Sequence, residues 1–193
     1  MDKSRLRREL RKSLTAMQPA QRIEKSRKAC QNLISTPEFE KASVIMMYLS
    51  LPHEVDTAEA MLQAWRLGKT VVVPKIMWRQ RQMIPVRIDT LEADFSTEIP
   101  GLRNPTVGML VPFDQIDLIV APGLGFDRRG NRLGRGGSYY DRFFSNERLK
   151  ATRCGFAFAE QVVDSVPVSE HDQPVDLLVT DEGVTYLNSR KGD

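Results

Sequence analysis

The sequence is poor in the residues that most often carry chemistry or anchor a protein outside the cytoplasm. Its 193 residues include two histidines and two cysteines, and Cys30 and Cys154 are far apart rather than in a CxxC pair. This predicts a reducing compartment, without a disulfide framework or a zinc site. No segment approaches the roughly 20 apolar residues of a membrane-spanning helix, and the charged start, MDKSRLRREL, has no apolar stretch behind it. We therefore expect a cytoplasmic protein with no membrane partner.

The composition indicates one globular domain over residues 1–193, with an uneven charge distribution. Apolar residues make up 41% of the chain and charged residues 27%. Residues 1–28 hold ten Lys and Arg against three Asp and Glu, although the net charge is only +3. This basic excess is either a solvated helix face or part of an anion site. We expect no nucleic-acid partner, because the basic region lacks interleaved aromatic residues and any recognised motif.

Helix and strand patterns alternate along the chain. Predicted helices cover residues 3–17, 19–34, 56–68 and 138–150, and DTAE (56–59) reads as a capping box with Asp56 as the cap. Predicted strands cover residues 43–49, 70–75, 82–88, 117–123, 153–159 and 176–181, and residues 99–112 are mostly loop. Several strands are continuously apolar, which favours an α/β fold with a mainly parallel sheet and helices on both faces. Ligands of such sheets bind beyond the carboxyl ends of strands, where the loop after residue 123 begins.

The segment RLGRGGSYYDRF (132–143) has the composition of an anion-binding loop. Glycines at positions 130, 134, 136 and 137 allow positive φ angles and inward-facing amides. The helix predicted to follow adds its N-terminal amides, and Arg132 and Arg135 add charge. Together they predict a cradle for a polyphosphate, although the spacing matches neither a Walker loop nor a dinucleotide fingerprint. The alternative is a mobile glycine turn with solvated arginines.

Asp141 lies one helical turn beyond this loop, where a bare carboxylate would repel phosphates. It fits such a place if it holds Mg²⁺, which prefers one or two carboxylates plus phosphate oxygens. The alternative is that Asp141 compensates the helix dipole. Of Tyr139 and Tyr140, we expect one side chain to pack in the core and the other to line the ligand site.

The segment APGLGFDRRGNRLGRGGSYYDRF (121–143) resembles the signature of the 5-formyltetrahydrofolate cyclo-ligase family. Three further segments resemble that family in the same order along the chain: KSRLR (3–7), YLSLPHEVDT (48–57) and VVVPK (71–75). The resemblance covers nearly the whole chain. It departs from the family pattern at Ser138, where a further glycine or lysine is common nearby, and at Asn104, where an acidic residue usually precedes the proline.

The resemblance implies a reaction that needs no protein nucleophile. 5-Formyltetrahydrofolate and MgATP would give 5,10-methenyltetrahydrofolate, ADP and phosphate, with Mg²⁺ as the cofactor. The formyl oxygen would take the γ-phosphoryl group, and N10 of the folate would then displace phosphate. Positioning and charge neutralisation are then the protein's tasks, which fits a chain with two histidines and no evident catalytic triad.

The resemblance also implies roles for particular residues. Lys3 and Arg7, four residues apart on one helix face, would reach ATP. The other ATP-binding residues would be Arg132, Leu133, Gly134, Arg135, Gly136, Gly137, Ser138, Tyr139 and Tyr140, with Arg135 catalytic near the transferring group. Asp141 would hold Mg²⁺, and Asp181 is either a second metal carboxylate or a cap of the turn TDEG. Leu49 and Glu54 would bind the folate, although Leu49 could be ordinary core and Glu54 a solvated loop acid.

Two other functions remain open at this point. A related α/β enzyme could handle a sugar phosphate or a coenzyme A thioester, with Glu54 as a possible nucleophile and no need for ATP. A nucleic-acid-binding module is the second alternative, because of the basic first helices. On the favoured interpretation the partners are 5-formyltetrahydrofolate and ATP, and the protein acts as a monomer.

Overall fold

The computed structural model describes residues 2–96 and 101–187. The first two residues of the predicted loop 99–112 lie outside the described residues. The helices are α1 (Lys3–Ala16), α2 (Pro19–Ile34), α3 (Pro37–Lys41), α4 (Ala58–Arg66) and α5 (Tyr139–Phe144). The first strands are β1 (Val44–Met47), β2 (Thr70–Met77), β3 (Gln82–Ile88), β4 (Phe95–Ser96), β5 (Asn104–Pro105) and β6 (Met109–Leu110). They are followed by β7 (Leu118–Ala121), β8 (Gly125–Asp127), β9 (Arg132–Leu133), β10 (Thr152–Phe156), β11 (Val162–Val163), β12 (Leu177–Thr180) and β13 (Gly183–Tyr186).

The central sheet has eight strands in the order β13-β12-β10-β7-β1-β2-β3-β6. The five strands from β12 to β2 are parallel, and the strands outside them pair antiparallel. Of the parallel strands, β1 (VIMM) and β7 (LIVA) are continuously apolar, as expected when both faces are covered, whereas β10 (TRCGF) includes Thr152 and Arg153. The prediction of a mainly parallel α/β sheet is therefore confirmed.

Two apolar layers cover the two faces of the sheet. Ile45 and Met47 of β1 pack in one cluster with buried residues of α2, α3 and α4. Met46, between them, points the other way into a cluster with Phe143 and Phe144 of α5. Side chains alternate along a strand, so this division confirms the expected helices on both faces. None of the helices in the described part of the chain is both long and apolar enough to cross a bilayer.

Two details of the predicted helices are wrong. The helix expected over 138–150 ends at Phe144, because the side chain of Asn146 accepts a hydrogen bond from the Arg148 amide at 3.0 Å and closes a separate turn. The expected capping box at 56–59 is absent at the start of α4. Asp56 instead accepts from the amide of Ala58, two residues on, at 3.0 Å. Thr57 is the cap residue, and its hydroxyl donates to the Tyr48 carbonyl at 2.7 Å.

A second, three-stranded sheet in the order β11-β8-β9 carries the start of the glycine-rich loop. Asp127, at the end of β8, is fully buried. Its carboxylate accepts hydrogen bonds from the amides of Arg129 (3.0 Å), Asn131 (3.0 Å) and Val166 (2.9 Å). These bonds fix the turn that leads into Arg132, so the loop that follows begins from a rigid base.

Replacing Asp127 with asparagine is expected to lower the free energy of unfolding at pH 7 by about 2 kcal/mol, because a charged acceptor is lost. Burial alone would raise the pKa of the Asp127 carboxyl, but hydrogen bonds from Val166 and Asn131 outweigh it and lower that pKa. A lowered folded-state pKa gives stability that is complete above the unfolded value, about 4, and is lost as pH falls through the folded value.

Urea unfolding between pH 7 and pH 2 measures this effect. The difference between the two proteins should shrink below about pH 4, when the wild-type carboxyl takes up its proton. Asp164→Asn, an exposed aspartate nearby, is the matched control and should unfold like the wild type. A difference that stayed constant down to pH 2 would contradict the assigned role of the carboxylate.

Candidate functional site

A cavity of about 170 Å³ opens at the carboxyl ends of β1, β2 and β7, the expected location of a ligand site in such a sheet. Tyr48 and Leu49 enter it directly after β1, Pro74 and Ile76 come from β2, and the glycine-rich loop forms the opposite wall. Most of the wall is apolar. The cavity therefore suits a flat, largely apolar ring, with polar groups only at its ends.

The glycine-rich loop takes a backbone path that its sequence allows. Gly136 has a φ of +114°, which an L-residue with a side chain rarely adopts. A Cβ on Gly137 would lie 2.8 Å from the ring of Tyr139. Ser138 also has a positive φ, +51°, at the start of α5. This is the position where the sequence departs from the family pattern, and the serine holds a left-handed conformation that glycine adopts at lower cost.

Helix α1 lies against this loop. The Arg7 Nε atom donates to the Gly134 carbonyl at 2.9 Å, and Arg11 Nη2 approaches the Arg135 carbonyl at 3.4 Å. Lys3 forms an ion pair with Asp172 and donates to the Ser169 hydroxyl at 2.8 Å. The structure therefore brings the basic N-terminus to the loop.

A second, smaller cavity lies beside the first and collects seven of the eleven predicted ATP-binding residues. The other four, Arg135, Gly137, Tyr139 and Tyr140, line the larger cavity. The smaller cavity is lined by Lys3, Arg7, Arg132, Leu133, Gly134, Gly136, Ser138, Asp141 and Asp172. Four of these, Arg132, Gly134, Ser138 and Asp141, also line the larger cavity. The two cavities thus share one wall.

Arg132 and Asp141 form a buried ion pair in that shared wall. Their side chains are 4% and 13% exposed, and Arg132 Nη2 lies 2.9 Å from Asp141 Oδ1. The Gln173 amide donates to the same Oδ1 atom at 3.3 Å. Within the described residues, Asp141 Oδ2 accepts no hydrogen bond. Arg132 is therefore not the solvated arginine of the alternative interpretation, and Asp141 keeps one oxygen available for a ligand.

Asp172 is a candidate site residue that the sequence analysis did not identify. Its Oδ2 atom accepts from the Ser169 amide at 2.7 Å, and the carboxylate lines the smaller cavity with Asp141. Nothing in the surrounding SEHDQPVD distinguishes this carboxylate from other surface acids. Asp181, the predicted second metal carboxylate, lines neither cavity. It pairs with Lys25 at 2.7 Å and accepts from the Ala159 amide at 2.8 Å.

Glu54 and Arg135 meet across the mouth of the larger cavity. Glu54 is only 8% exposed, so it is not a solvated loop acid. Its Oε1 atom lies 3.0 Å from both Arg135 Nε and Arg135 Nη2, and its Oε2 atom accepts from the Leu51 amide at 2.9 Å. The sequence assigns these two residues to different ligands, whereas the structure pairs them with each other. Leu102 and Arg103 also line this cavity. They lie in a segment for which the sequence analysis predicted a loop and no functional residue.

The donor set of the smaller cavity fits a hard divalent cation that shares phosphate oxygens. Two carboxylates, Asp141 and Asp172, line one cavity together with glycine-loop backbone. Within residues 2–96 and 101–187, no group of three or more His, Cys, Asp or Glu side chains could hold a metal by itself. Two carboxylates are the number that Mg²⁺ commonly takes from a protein, with phosphate and water oxygens completing its coordination shell.

The sequence and the fold match proteins whose names agree with one another. Residues 1–181 match the family described as the 5-formyltetrahydrofolate cyclo-ligase family. A mouse 5-formyltetrahydrofolate cyclo-ligase is 30% identical, with 92% of each chain covered. The Escherichia coli enzyme of that name is 28% identical, covering 89% of this chain and 96% of its own. The NMR structure of Aquifex aeolicus 5,10-methenyltetrahydrofolate synthetase is 30% identical with a TM-score of 0.85, and covers 100% of this chain and 96% of its own.

Proposed function

Because this chain belongs to the 5-formyltetrahydrofolate cyclo-ligase family, a family of ligases, we propose that it makes 5,10-methenyltetrahydrofolate from 5-formyltetrahydrofolate and MgATP. The observation that carries this proposal is the wall shared by an apolar cavity and a cationic, glycine-lined one. A folate ring in the first and a triphosphate in the second would bring the formyl oxygen and the γ-phosphorus together. Such alignment of two bound reactants supplies much of the catalysis of phosphoryl transfer.

The folate would bind in the larger cavity. Glu54 would accept hydrogen bonds from the N–H groups of the pterin ring, and Leu49 and Ile76 would pack against its faces. Glu54 is buried and held by the Leu51 amide, so its carboxylate is already oriented. A buried acceptor that has lost its water selects strongly for a ligand with matching donors.

The ATP phosphates would bind in the smaller cavity. Backbone amides of Gly134 and Gly136 would cradle them, with Lys3 and Arg7 from α1 at the side. The remaining loop residues, Leu133, Gly137, Ser138, Tyr139 and Tyr140, would shape the cradle and its wall. Arg135 is about two-fifths exposed and lies between glycines, so it could turn from Glu54 toward the transferring phosphoryl group.

We further propose that Asp141 and Asp172 hold Mg²⁺ in the presence of ATP, with Asp172 in the role predicted for Asp181. Each carboxylate now faces a cation, Arg132 and Lys3 respectively, which balances its charge without metal. When bound, the ion would neutralise charge on the β- and γ-phosphate oxygens. We also propose that the enzyme acts as a monomer.

The reaction then needs no covalent protein intermediate. The formyl oxygen attacks the γ-phosphorus, and ADP leaves as the phosphorus–oxygen bond to the β-phosphate breaks. N10 attacks the activated formyl carbon and loses its proton to solvent, the carbon–oxygen bond breaks, and phosphate departs with the electron pair. The protein aligns the two substrates, excludes water from the apolar cavity and stabilises the developing charge with Arg135 and Arg132.

The absorbance of methenyltetrahydrofolate, followed after 5-formyltetrahydrofolate is added, tests this proposal. We expect product only when ATP and Mg²⁺ are both present, with one ADP released for each product formed. Turnover without ATP would instead favour the alternative enzyme class, and absence of product under all conditions would reject the proposal.

The Glu54–Arg135 pair also predicts how the two ligands influence each other. Glu54→Gln should increase the affinity for a non-hydrolysable ATP analogue by about threefold to tenfold. In the wild type Arg135 must break its ion pair with the Glu54 carboxylate to reach the nucleotide, and in the variant it breaks only a weaker hydrogen bond to a neutral amide. The same substitution should weaken binding of 5-formyltetrahydrofolate. Calorimetric titration of each ligand separately measures both effects. Glu59→Gln, an acid outside this pair and this cavity, is the control, and unchanged nucleotide affinity in Glu54→Gln would reject the coupling.

A further inference from the structure

The hydroxyl of Tyr140, a residue that lines the larger cavity, is buried. It has no hydrogen-bond partner in the part of the chain that the structure describes. Tyr48 provides the contrast in the same cavity, because its hydroxyl donates to the Val55 carbonyl at 2.8 Å. A buried hydroxyl without a partner lowers stability, and folded proteins keep few of them. The Tyr140 hydroxyl therefore needs an explanation beyond packing.

The ring of Tyr140 is fixed by its neighbours. The Arg132 guanidinium lies 5.3 Å from the ring centroid, and the Phe144 ring packs against it edge-on at 5.8 Å. Tyr140 lines the larger cavity, and it is not among the residues that line the smaller one. An acceptor for its hydroxyl therefore belongs to the ligand of the larger cavity.

A tyrosine phenol is an un-ionised O–H at neutral pH. A phenol in this state can donate one hydrogen bond to a neutral carbonyl oxygen and does not act as a base.

We propose that the Tyr140 hydroxyl is a positioning group that donates a hydrogen bond to the formyl oxygen of bound 5-formyltetrahydrofolate. This inference rests on the proposed function. The formyl group on N5 is an amide, whose rotation about the carbon–nitrogen bond is slow, as in a peptide. Only one of its two rotamers directs the oxygen toward the triphosphate. A donor on one lone pair of that oxygen selects this rotamer and leaves the other lone pair for the γ-phosphorus.

The position of Tyr140 favours the formyl oxygen over the other acceptors of a folate. Tyr140 directly precedes Asp141, which lines both cavities, so the ring stands beside the wall where the two substrates must meet. The formyl oxygen is the atom of the folate that has to reach that wall. Carbonyl and ring nitrogen atoms of the pterin would lie toward Glu54 in the proposed binding mode.

Tyr140→Phe tests the inference, since it removes only the hydroxyl and keeps the ring against Arg132 and Phe144. We expect kcat to fall by about tenfold or more, the effect of one lost hydrogen bond that is made in the reacting complex. The KM for ATP should not change. The melting temperature should stay the same or rise, because an unsatisfied buried donor is gone.

Tyr48→Phe is the matched comparison, because it removes a hydroxyl that already has a partner in the same cavity. Its melting temperature should fall by about 2–4 °C, and its kcat should fall less than that of Tyr140→Phe. The inference is overturned if Tyr140→Phe keeps kcat within twofold, or if its kcat and melting temperature fall together. A wild-type protein without cyclo-ligase activity would instead reject the proposed function itself.

Discussion

Replacing Arg135 with alanine should lower kcat by about a hundredfold or more, the usual effect of removing one charged partner of a transition state. Arg135 lies at the candidate site with its guanidinium directed toward Glu54. It is about two-fifths exposed, it sits between Gly134 and Gly136, and its contact in the free protein is Glu54. Its guanidinium gains most when negative charge develops on the transferring phosphoryl group. The loss should therefore appear in kcat more than in either KM.

Arg135→Lys is the control for charge alone. It keeps the positive charge but loses the forked geometry that contacts one carboxylate oxygen through two nitrogens. We expect it to recover part of the activity and to remain below the wild type by about tenfold. Steady-state kinetics by the methenyltetrahydrofolate absorbance assay measures all three proteins. Near-normal kcat in Arg135→Ala would show that Arg135 only braces Glu54.

Asp141→Asn should raise the Mg²⁺ concentration for half-maximal activity by at least about tenfold and lower kcat at saturating Mg²⁺. The substitution removes a carboxylate oxygen that the described part of the protein leaves without a hydrogen bond. It also leaves Arg132, whose side chain is 4% exposed, without its counter-charge. Breaking a buried pair in this way costs about 3 kcal/mol of stability, so unfolding must be measured alongside activity.

Two further aspartates separate metal binding from stability. Asp172→Asn should raise the Mg²⁺ requirement as Asp141→Asn does, because both residues line the smaller cavity. Asp181→Asn should lower stability, since Asp181 is 5% exposed and paired with Lys25, but it should leave the Mg²⁺ requirement unchanged. The opposite ranking of Asp172 and Asp181 would return the second carboxylate to the position first expected from the sequence.

The sequence analysis left two roles open for the basic N-terminus, a solvated helix face or part of an anion site, and different residues of it match each role. Lys3 and Arg7 contact the site, through Asp172 and the Gly134 carbonyl. Arg5 faces solvent and pairs with Glu9 at 2.9 Å on the same helix, and Arg27 pairs in the same way with Glu24. Exposed pairs of this kind contribute little to stability. Lys3 and Arg7 therefore lie at the proposed anion site, whereas Arg5 and Arg27 belong to solvated helix faces.

The sequence alone was enough to predict most of the helices and strands and the sheet edge at which the candidate site lies. Apolar runs and breakers located α1, α2, β2 and β3, because those signals lie within a few neighbouring residues. Short strands such as β13, with four residues, gave no such signal. β13 is held by pairing with β12 and by packing of Val184 against the core cluster that includes α2. The helix after the glycine-rich loop was predicted too long, since the hydrogen bond from the Arg148 amide to the Asn146 side chain competes with helix extension.

Only the tertiary structure decided which distant side chains meet. Glu54 and Arg135 are 81 positions apart, and Lys3 and Asp172 are 169 apart, yet both pairs are in contact. Sheet topology sets such encounters, because parallel strands deliver their carboxyl ends to one edge regardless of the separation along the chain. A local motif could therefore predict the glycine-rich loop as a candidate phosphate site, whereas the proposed second metal carboxylate and the proposed role of the Tyr140 hydroxyl depended on neighbours that no local pattern specifies.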